Sequence, residues 1–350
     1  MLCGGAGTRF WPVSREATPK PFLKLLGNQS LLDVTLDRLQ FFAAPERTWV
    51  VTSGRLETLA RRALKDRKVQ LLIEPEARNT APAIALAAAH VASVDPAALV
   101  GVFPADHHIG SRRAFEAALA TAARAARRTD SLALVGIEPR DASTAYGYLK
   151  LGGSVARGAF HVECFVEKPK VGQARGLIRG GALWNAGIVV GTAERILSET
   201  KSCAPEIWRG LGSALESIRA RRRVTAIRLK RAYVGLTPKA FDHAVLERSR
   251  RVAAVRGRFR WSDLGSWDAL ALQFPGQVQA AQGKGGPVIS VDSRDNFVWN
   301  ATDKTVAVIG LEGLVVVNTG DALLVCPQER AQDVRYVVAE LRRLGRKELI

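Results

Sequence analysis

The chain has 350 residues, 47% of them hydrophobic, and its 51 lysines and arginines exceed its 33 aspartates and glutamates, giving a formal net charge of +18. No apolar run reaches the ~18 residues of a membrane-spanning helix, and no basic stretch followed by an apolar one opens the chain, so we expect no membrane span and no signal peptide. The four cysteines are far apart and form no CxxC pair, which argues against a zinc site or a disulfide framework and favours a reduced cytoplasm.

The basic balance favours a polyanionic partner, such as nucleic acid, an anionic membrane or a phosphorylated small molecule. The basic residues are nevertheless spread over separate stretches at 112–128, 219–231 and 342–347. No RNA-binding or helix-turn-helix signature accompanies these stretches. We therefore expect a solvated basic surface, with no specific nucleic acid and no membrane as partner.

The first 140 residues alternate short apolar runs with helical patterns. The alternation predicts βα units and a mostly parallel sheet with helices on both faces. Ligands of such sheets bind beyond the carboxyl ends of the strands. The predicted strands are 48–53, 69–73, 98–103 and 131–137, and the predicted helices are 30–42, 79–92 and 115–126.

The later part of the chain changes character near residue 285. Residues 141–275 continue as mixed α/β with longer loops, whereas five short β runs separated by turn residues follow residue 285. A last helical pattern extends from about 330 to 344. We predict a catalytic domain over 1–285 and a small β-rich segment with a terminal helix over 286–350.

The opening stretch GGAGTR is rich in glycine, but it matches neither the Walker pattern nor the dinucleotide pattern GxGxxG, which would need glycine where Phe10 stands. Glycines allow backbone N–H groups to converge on an anion. Arg9 adds donors suited to phosphate, and Lys20 follows a segment framed by prolines. The loop alone leaves open whether it binds phosphate or is a turn with two exposed basic residues.

Five segments in order resemble one family. GGAGTRFWPVSREATPKPFLKL is similar to the signature GGxGTRLxPxT/SxxxPKxxL of sugar-nucleotide pyrophosphorylases. Segments 74–90, 103–109, 165–170 with 183–188, and 241–249 with 261–270 resemble the mannose-1-phosphate guanylyltransferase branch. The resemblance implies a Rossmann-like nucleotidyltransferase fold with a mostly parallel mixed sheet and a β-helix-like C-terminal appendage. It also implies that Mg²⁺ assists transfer of a guanylyl group from GTP to mannose 1-phosphate, by in-line attack on the α-phosphorus.

The resemblance assigns the first two motifs to the nucleotide. Arg9 and Lys20 are the residues expected to act on the phosphates, and Asn79 and Thr80 are the candidates for the guanine side. A plain helix N-cap at Asn79 remains the alternative. The full set of expected nucleotide-binding residues is Gly4, Gly5, Gly7, Thr8, Arg9, Asn79 and Thr80.

Two aspartates are candidate metal ligands. Asp106 directly follows the predicted strand 98–103, and Asp263 lies in the turn WSDLGSW. Hard oxygen ligands suit a cation that bridges phosphates, and the resemblance raises both residues above their alternative as turn aspartates. His107 and His108 receive no catalytic role.

The sugar phosphate is assigned to a third set of residues, Gly147, Glu167, Lys168 and Asn185. Carboxylate and amide groups accept and donate to hydroxyls, and an ammonium group meets phosphate; a surface ion pair at Glu167 and Lys168 remains the alternative. The chain departs from the family at Pro21 and at Ala186, which puts the choice of base or sugar in doubt.

Other functions stay open beside this one. One is a pyrophosphorylase for another sugar 1-phosphate, such as that of a heptose or glucose, or for another NTP, such as dTTP or UTP. The others are a non-catalytic regulatory homologue and a nucleic-acid binder. By analogy, the segment 286–350 serves packing and subunit contact, which leaves a homodimer open.

The position of the first motif suggests a further hypothesis. Only Met1, Leu2 and Cys3 precede the glycines, whereas strands average about 5–6 residues. The family usually has several more apolar residues at this point. We therefore expect the natural start to lie upstream of Met1.

Overall fold

The computed structural model describes residues 1–5, 7–274 and 285–350, which divide into two compact units. The first, here the sheet unit, comprises Met1–Cys3, Leu39–Pro104 and Ile109–Trp261. The second, here the terminal unit, comprises Gly4–Arg38, Ala105–His108 and Ser262–Ile350. Each unit is thus assembled from segments that are distant in the sequence.

The sheet unit is built on a mixed β-sheet. Its six central strands lie in the order β3-β7-β4-β8-β6-β5, and β1 and β2 form a separate parallel pair. The strands are β1 (Trp49–Ser53), β2 (Gln70–Glu74), β3 (Leu99–Val102), β4 (Leu132–Ile137), β5 (Gly147–Ala156), β6 (Ala159–Glu167), β7 (Leu183–Thr192) and β8 (Val252–Gly257).

The predicted α/β architecture with a mixed sheet is confirmed, but the six-stranded sheet is less parallel than expected. Only β4 and β8 pair in parallel, and the other pairings in this sheet are antiparallel. One cause is the tight turn between β5 and β6, where Gly158 has φ +78° and returns the chain directly as a hairpin. The four strands predicted in the first 140 residues all precede this hairpin.

The first three residues form a short strand-like segment between β1 and β3. Leu2 bridges Val51 and Pro104 in parallel. The Leu2 N–H donates to the Phe103 carbonyl at 2.8 Å, and the Cys3 N–H donates to the Val51 carbonyl at 2.8 Å. The glycines therefore follow the carboxyl end of this segment, as ligand-binding loops do in sheets of this class.

The predicted helices are confirmed with shifted ends. The helix α3 is apolar around most of its circumference because it is buried among β-strands and helices. The Ser111 side chain caps α4 by accepting from the Ala114 N–H at 3.4 Å. The helices are α1 (Leu31–Leu39), α2 (Glu57–Ala63), α3 (Thr80–Ala92), α4 (Arg112–Thr129), α5 (Val171–Arg179), α6 (Ala193–Cys203), α7 (Pro205–Arg219), α8 (Ala226–Val234), α9 (Trp267–Ala271) and α10 (Val334–Arg343).

The terminal unit ends in parallel β coils. β9 pairs in parallel with β11, and β10 with β12, each at an offset of eighteen residues, while β13 returns antiparallel to β12. Asn300 and Asn318 stack at this offset, with the Asn318 amide donating to Asn300 Oδ1 at 3.0 Å. The predicted β-rich segment is confirmed as β9 (Val288–Val291), β10 (Phe297–Asn300), β11 (Val306–Ile309), β12 (Leu314–Asn318) and β13 (Leu323–Pro327).

None of the helices within residues 1–5, 7–274 and 285–350 has the length and apolar character needed to cross a membrane.

Candidate active site

The glycine loop of the terminal unit has a backbone that requires glycine. Gly5 and Gly7 have φ values of +94° and +57°. These values lie in the left-handed region, which is unfavourable for residues that have a Cβ. The Ser14 hydroxyl donates to the Gly7 carbonyl at 2.7 Å, which fixes the end of the loop. A single 3₁₀ turn, Thr8–Phe10, follows directly and carries Arg9 half-buried.

Lys20 packs against this loop. An added Cβ on Gly7 would lie 2.6 Å from the Lys20 Cβ, so only glycine fits at this approach. The Gly7→Ala variant is expected to lower the free energy of unfolding by about 1–2 kcal/mol, the cost of a left-handed residue that has a Cβ. Urea denaturation measures the change.

The matched control for that substitution is Gly4→Ala. No atom lies within 4 Å of a Cβ built on Gly4, so we expect a change below about 0.5 kcal/mol. Equal losses in the two variants would contradict the close packing of the loop on Lys20.

The structure brings together three of the residues that the sequence singled out, and we call Lys20, Asp106 and Asp263 the lysine–aspartate cluster. The Lys20 Nζ lies 3.0 Å from Asp106 Oδ2 and donates to the Asp263 carbonyl oxygen at 2.5 Å. Lys20 is only 7% exposed. Because a buried ammonium is costly unless it is paired, the Asp106 carboxylate and the Asp263 backbone carbonyl account for its position.

The turn that carries Asp263 is anchored to the opening segment within the same unit. Asp263 Oδ1 accepts from the Gly265 N–H at 3.1 Å, which closes a short turn of the kind aspartate favours. The Trp267 indole N–H donates to the Trp11 carbonyl at 3.0 Å. The Trp267 ring packs edge-on against the Phe10 ring, with 5.0 Å between the ring centroids. Trp267 therefore holds the turn in place.

His107 follows Asp106 inside the terminal unit. Its pKa is lowered, chiefly by burial, so the neutral imidazole is favoured. The Arg38 guanidinium donates to the His107 carbonyl at 3.2 Å, and burial lowers the pKa of Arg38 to about 10.

The donor set of the cluster fits a hard divalent cation. Asp106 and Asp263 supply two carboxylates beside a lysine, and Mg²⁺ is commonly held by one or two carboxylates together with substrate phosphates. In the part of the chain that the structure describes, no three or more His, Cys, Asp or Glu side chains converge as a metal site. Phosphate oxygens and water would therefore have to complete the coordination shell.

Four predicted residues meet in the sheet unit together with Asp242, and we call Gly147, Glu167, Lys168, Asn185 and Asp242 the amide–carboxylate cluster. Gly147 and Glu167 face each other across β5 and β6. A Cβ on Gly147 would lie 2.5 Å from Glu167 Oε2, so the glycine makes room for the carboxylate. The Lys168 Nζ lies 2.9 Å from Glu167 Oε1.

Asp242 is the member of this cluster that sequence reasoning missed. It begins a π-helical turn, Asp242–Leu246, and its Oδ1 accepts from the Asn185 amide at 2.9 Å. Burial raises the pKa of Asp242 to about 6, and the neighbouring Glu167 carboxylate adds to the shift. The segment FDHAVLERS was the available signal, but a π turn does not follow the 3.6-residue period by which helical faces are identified.

The segment at the start of α3 lies in the sheet unit and has well-defined partners. The Asn79 side chain accepts from the Thr80 N–H at 2.8 Å, so it caps α3. Thr80 Oγ1 accepts from the Phe241 N–H at 2.8 Å. The guanine role of both residues stays a prediction, since these contacts also serve the fold.

A buried carboxyl group lies at the beginning of the same segment. Burial raises the pKa of Glu74 to about 7, and the Tyr233 hydroxyl, which donates to its Oε1 at 3.0 Å, opposes part of this shift. The folded chain therefore keeps this proton where the unfolded chain has lost it, so the contribution of Glu74 to stability falls as the pH rises from about 4.5 to about 7.

The Glu74→Gln variant should lack this part of the pH dependence. Glutamine keeps an oxygen for the Tyr233 hydroxyl and carries no charge to bury, so we expect unfolding at pH 8 to cost more in the variant than in the parent by on the order of 1–3 kcal/mol. Urea denaturation at pH 5 and pH 8 tests this. The exposed Glu46→Gln variant is the control, and a parallel shift in both variants would contradict the interpretation.

Comparisons with known proteins agree with this architecture. The nucleotidyl transferase family matches residues 1–276, and the MannoseP isomerase/GMP-like beta-helix domain matches residues 286–341. The xanthan biosynthesis protein XanB of Xanthomonas campestris pv. campestris is 37% identical over 353 residues, covering 99% of this chain and 74% of that protein. The mannose-1-phosphate guanylyltransferase of Salmonella muenchen is 34% identical over 356 residues, with the same coverage of 99% and 74%.

A solved structure extends the likeness to three dimensions. The crystal structure of mannose-1-phosphate geranyltransferase from Thermus thermophilus superposes with a TM-score of 0.87 at 34% identity, covering 97% of this chain and 98% of that one. The family match covers well over half of the chain, and the full-length relatives exceed 30% identity. The chain therefore belongs to the nucleotidyl transferase family and is a nucleotidyltransferase with a C-terminal β-helix domain of the MannoseP isomerase/GMP-like type.

Proposed function

We propose that the chain transfers a guanylyl group from GTP to α-D-mannose 1-phosphate, giving GDP-mannose and pyrophosphate. The observation that carries the proposal is the lysine–aspartate cluster, in which Lys20 lies 3.0 Å from Asp106 and donates to the Asp263 carbonyl beside a glycine loop. Two aspartates that can hold a cation, and a lysine, lie next to a loop whose backbone N–H groups can bind phosphate. This arrangement suits a triphosphate. The name of the Salmonella relative supports the choice of nucleotide and sugar.

The transfer forms one bond and breaks one. An oxygen of the sugar phosphate attacks the α-phosphorus of GTP, and the bond from that phosphorus to the oxygen bridging to the β-phosphate breaks as pyrophosphate leaves. Such reactions ask little covalent chemistry of the protein, so positioning and charge neutralisation supply most of the rate.

Residues of the terminal unit would hold the triphosphate. The N–H groups of the glycine loop, at Gly4, Gly5, Gly7 and Thr8, donate to phosphate oxygens. Arg9 takes part in none of the ion pairs formed among the described residues, so its guanidinium is available to a phosphate as a planar fork. Lys20 stabilises the charge that develops on the leaving pyrophosphate.

Asp106 and Asp263 would hold Mg²⁺. When bound there, Mg²⁺ supplies charge neutralisation on phosphate oxygens and favours the in-line geometry. The same two residues also hold the Lys20 ammonium in place, Asp106 through its carboxylate and Asp263 through its backbone carbonyl.

The amide–carboxylate cluster would bind the sugar phosphate. Glu167 accepts two sugar hydroxyls, Asn185 binds a further hydroxyl with its amide, and Lys168 meets the phosphate. Gly147 leaves room for the Glu167 carboxylate, since a Cβ at this position would lie 2.5 Å from Glu167 Oε2. Ala186 stands where the family usually has serine. Because Ala186 is fully buried, a serine hydroxyl at this position would lie in the interior rather than in solvent.

A panel of substrates tests the proposal. Pyrophosphate release is measured for GTP, dTTP, UTP and ATP against mannose, glucose and heptose 1-phosphates, with Mg²⁺ and with EDTA. We expect GTP with mannose 1-phosphate and Mg²⁺ to give the highest kcat/KM. A higher kcat/KM with dTTP or UTP would overturn the assignment of the nucleotide, and activity in EDTA would overturn that of the cation.

Two expectations about the cell and the assembly stay predictions. We expect the chain to work in the cytoplasm, where reducing conditions keep separate cysteines as thiols. Light scattering on the purified chain measures whether it forms a homodimer.

A further inference from the structure

The Asn185 amide has a fixed orientation. Its Oδ1 accepts from the Gly187 N–H at 3.1 Å, and its Nδ2 donates to Asp242 Oδ1 at 2.9 Å. A backbone N–H can only donate, so the oxygen of the amide must face Gly187 and the nitrogen must face Asp242. One N–H and one lone pair of this 7%-exposed side chain remain for a ligand.

The π-helical turn also leads to a contact with the backbone of Glu167, which carries the other carboxylate of the cluster. Glu247, which directly follows the turn, accepts at Oε1 from the Glu167 N–H at 3.1 Å, and its Oε2 lies 2.9 Å from His243 Nδ1. One short element therefore holds both Asn185 and the backbone of Glu167. Single π turns inside helical segments are frequently found at functional sites.

The same turn is tied to the start of α3. The Phe241 N–H donates to Thr80 Oγ1 at 2.8 Å, and the Ala81 N–H donates to the Lys239 carbonyl at 3.2 Å. Residues 239–241 therefore lie along the segment assigned to the nucleotide base, and the next residue, Asp242, belongs to the amide–carboxylate cluster. The contact with Asn185 and the contacts of the preceding residues with the start of α3 together oppose a displacement of Asp242.

We propose that Asp242 is a positioning residue for the sugar phosphate, which acts by holding the Asn185 amide with its free N–H and lone pair toward the sugar hydroxyls. The inference rests on the proposed function, since it takes the amide–carboxylate cluster as the sugar site. Asp242 itself does not touch the sugar. Its contribution is to hold the amide nitrogen in the orientation that the Gly187 N–H selects, before the substrate arrives.

Substitutions at Asp242 separate this role from a general structural one. Asp242→Ala removes the acceptor and is expected to raise the KM for mannose 1-phosphate about tenfold, with the kcat and the KM for GTP within about twofold of the parent. Asp242→Asn keeps an oxygen that accepts from Asn185, so it should stay within about threefold of the parent. A variant Asp242→Asn as impaired as Asp242→Ala would overturn the proposal.

A double-mutant cycle with Asn185 provides the decisive measurement. If Asp242 acts through the amide, Asp242→Ala adds no further rise in the KM for mannose 1-phosphate in an Asn185→Ala background. Additive effects would mean that Asp242 acts independently of Asn185, which contradicts the proposal. Urea denaturation of each variant shows whether it is folded under the assay conditions.

The design also distinguishes a failure of this inference from a failure of the proposed function. If the parent prefers another sugar 1-phosphate in the substrate panel, the proposed function fails and the same cycle is run with that sugar. The non-additivity between Asp242 and Asn185 is expected with whichever sugar the cluster binds. Additivity with the preferred sugar overturns the inference alone.

Discussion

Replacing Asp106 with asparagine is expected to lower kcat by roughly 10³-fold, which corresponds to about 4 kcal/mol of lost transition-state stabilisation. The side chain keeps its shape but loses the charge that would hold Mg²⁺ on the phosphates. Lys20 retains its hydrogen bond to the Asp263 carbonyl, so we expect the fold to persist. Steady-state kinetics at saturating GTP, mannose 1-phosphate and Mg²⁺ measure the loss.

Two further variants bracket this result. Asp263→Asn should show a loss of the same order, because it supplies the other carboxylate of the lysine–aspartate cluster. Asp333→Asn is the matched control in the terminal unit, since Asp333 pairs with Arg330 at the exposed surface, and its kcat should be unchanged. Near-normal turnover in both cluster variants would remove the metal assignment.

Replacing Arg9 with alanine is expected to lower kcat by roughly 10²- to 10³-fold, or about 3–4 kcal/mol. Arg9 lies in the 3₁₀ turn directly after the glycine loop, so its position in the chain is next to the expected phosphate site before the phosphates rearrange. Arg9→Lys should recover only part of the rate, because an ammonium cannot donate two parallel hydrogen bonds to a phosphate. Single-turnover measurements at saturating GTP separate this loss from weaker binding.

Lys24→Ala serves as the control for the Arg9 variants. Lys24 lies in the same basic opening segment but is exposed to solvent, so removing it changes the net charge equally without reaching the loop. We expect its kcat within about twofold of the parent. A large fall in Lys24→Ala, equal to that in Arg9→Ala, would show that the segment acts by its overall charge rather than through Arg9.

The sequence was most informative where function depends on short local patterns. The glycine loop, Lys20, Asp106 and Asp263 were identified from motifs, and the structure brings the three charged residues together. Their meeting point could not be derived from composition or periodicity, since 86 and 157 residues separate Asp106 from Lys20 and from Asp263. The family resemblance supplied that link.

The remaining features depend on tertiary pairing, which local patterns do not encode. The antiparallel course of β7 between β3 and β4 follows from the order of strands in the finished sheet. Asp242 escaped notice because its importance arises from Asn185, 57 residues away in the sequence. A residue whose role is to hold another side chain carries no chemical signature of its own.

The composition of the terminal unit has a consequence for the order in which the protein is made. Residues 4–38 lie near the beginning of the chain, yet they pack with Ser262–Ile350 in one compact unit. The Trp11 indole even donates to the carbonyl of Leu349 at 2.7 Å. During synthesis the glycine loop therefore emerges more than 200 residues before the segment 262–350 that completes its unit. Nucleotide binding by nascent chains of increasing length would then begin only after residues 262–350 have been made, since contacts this distant in sequence form late.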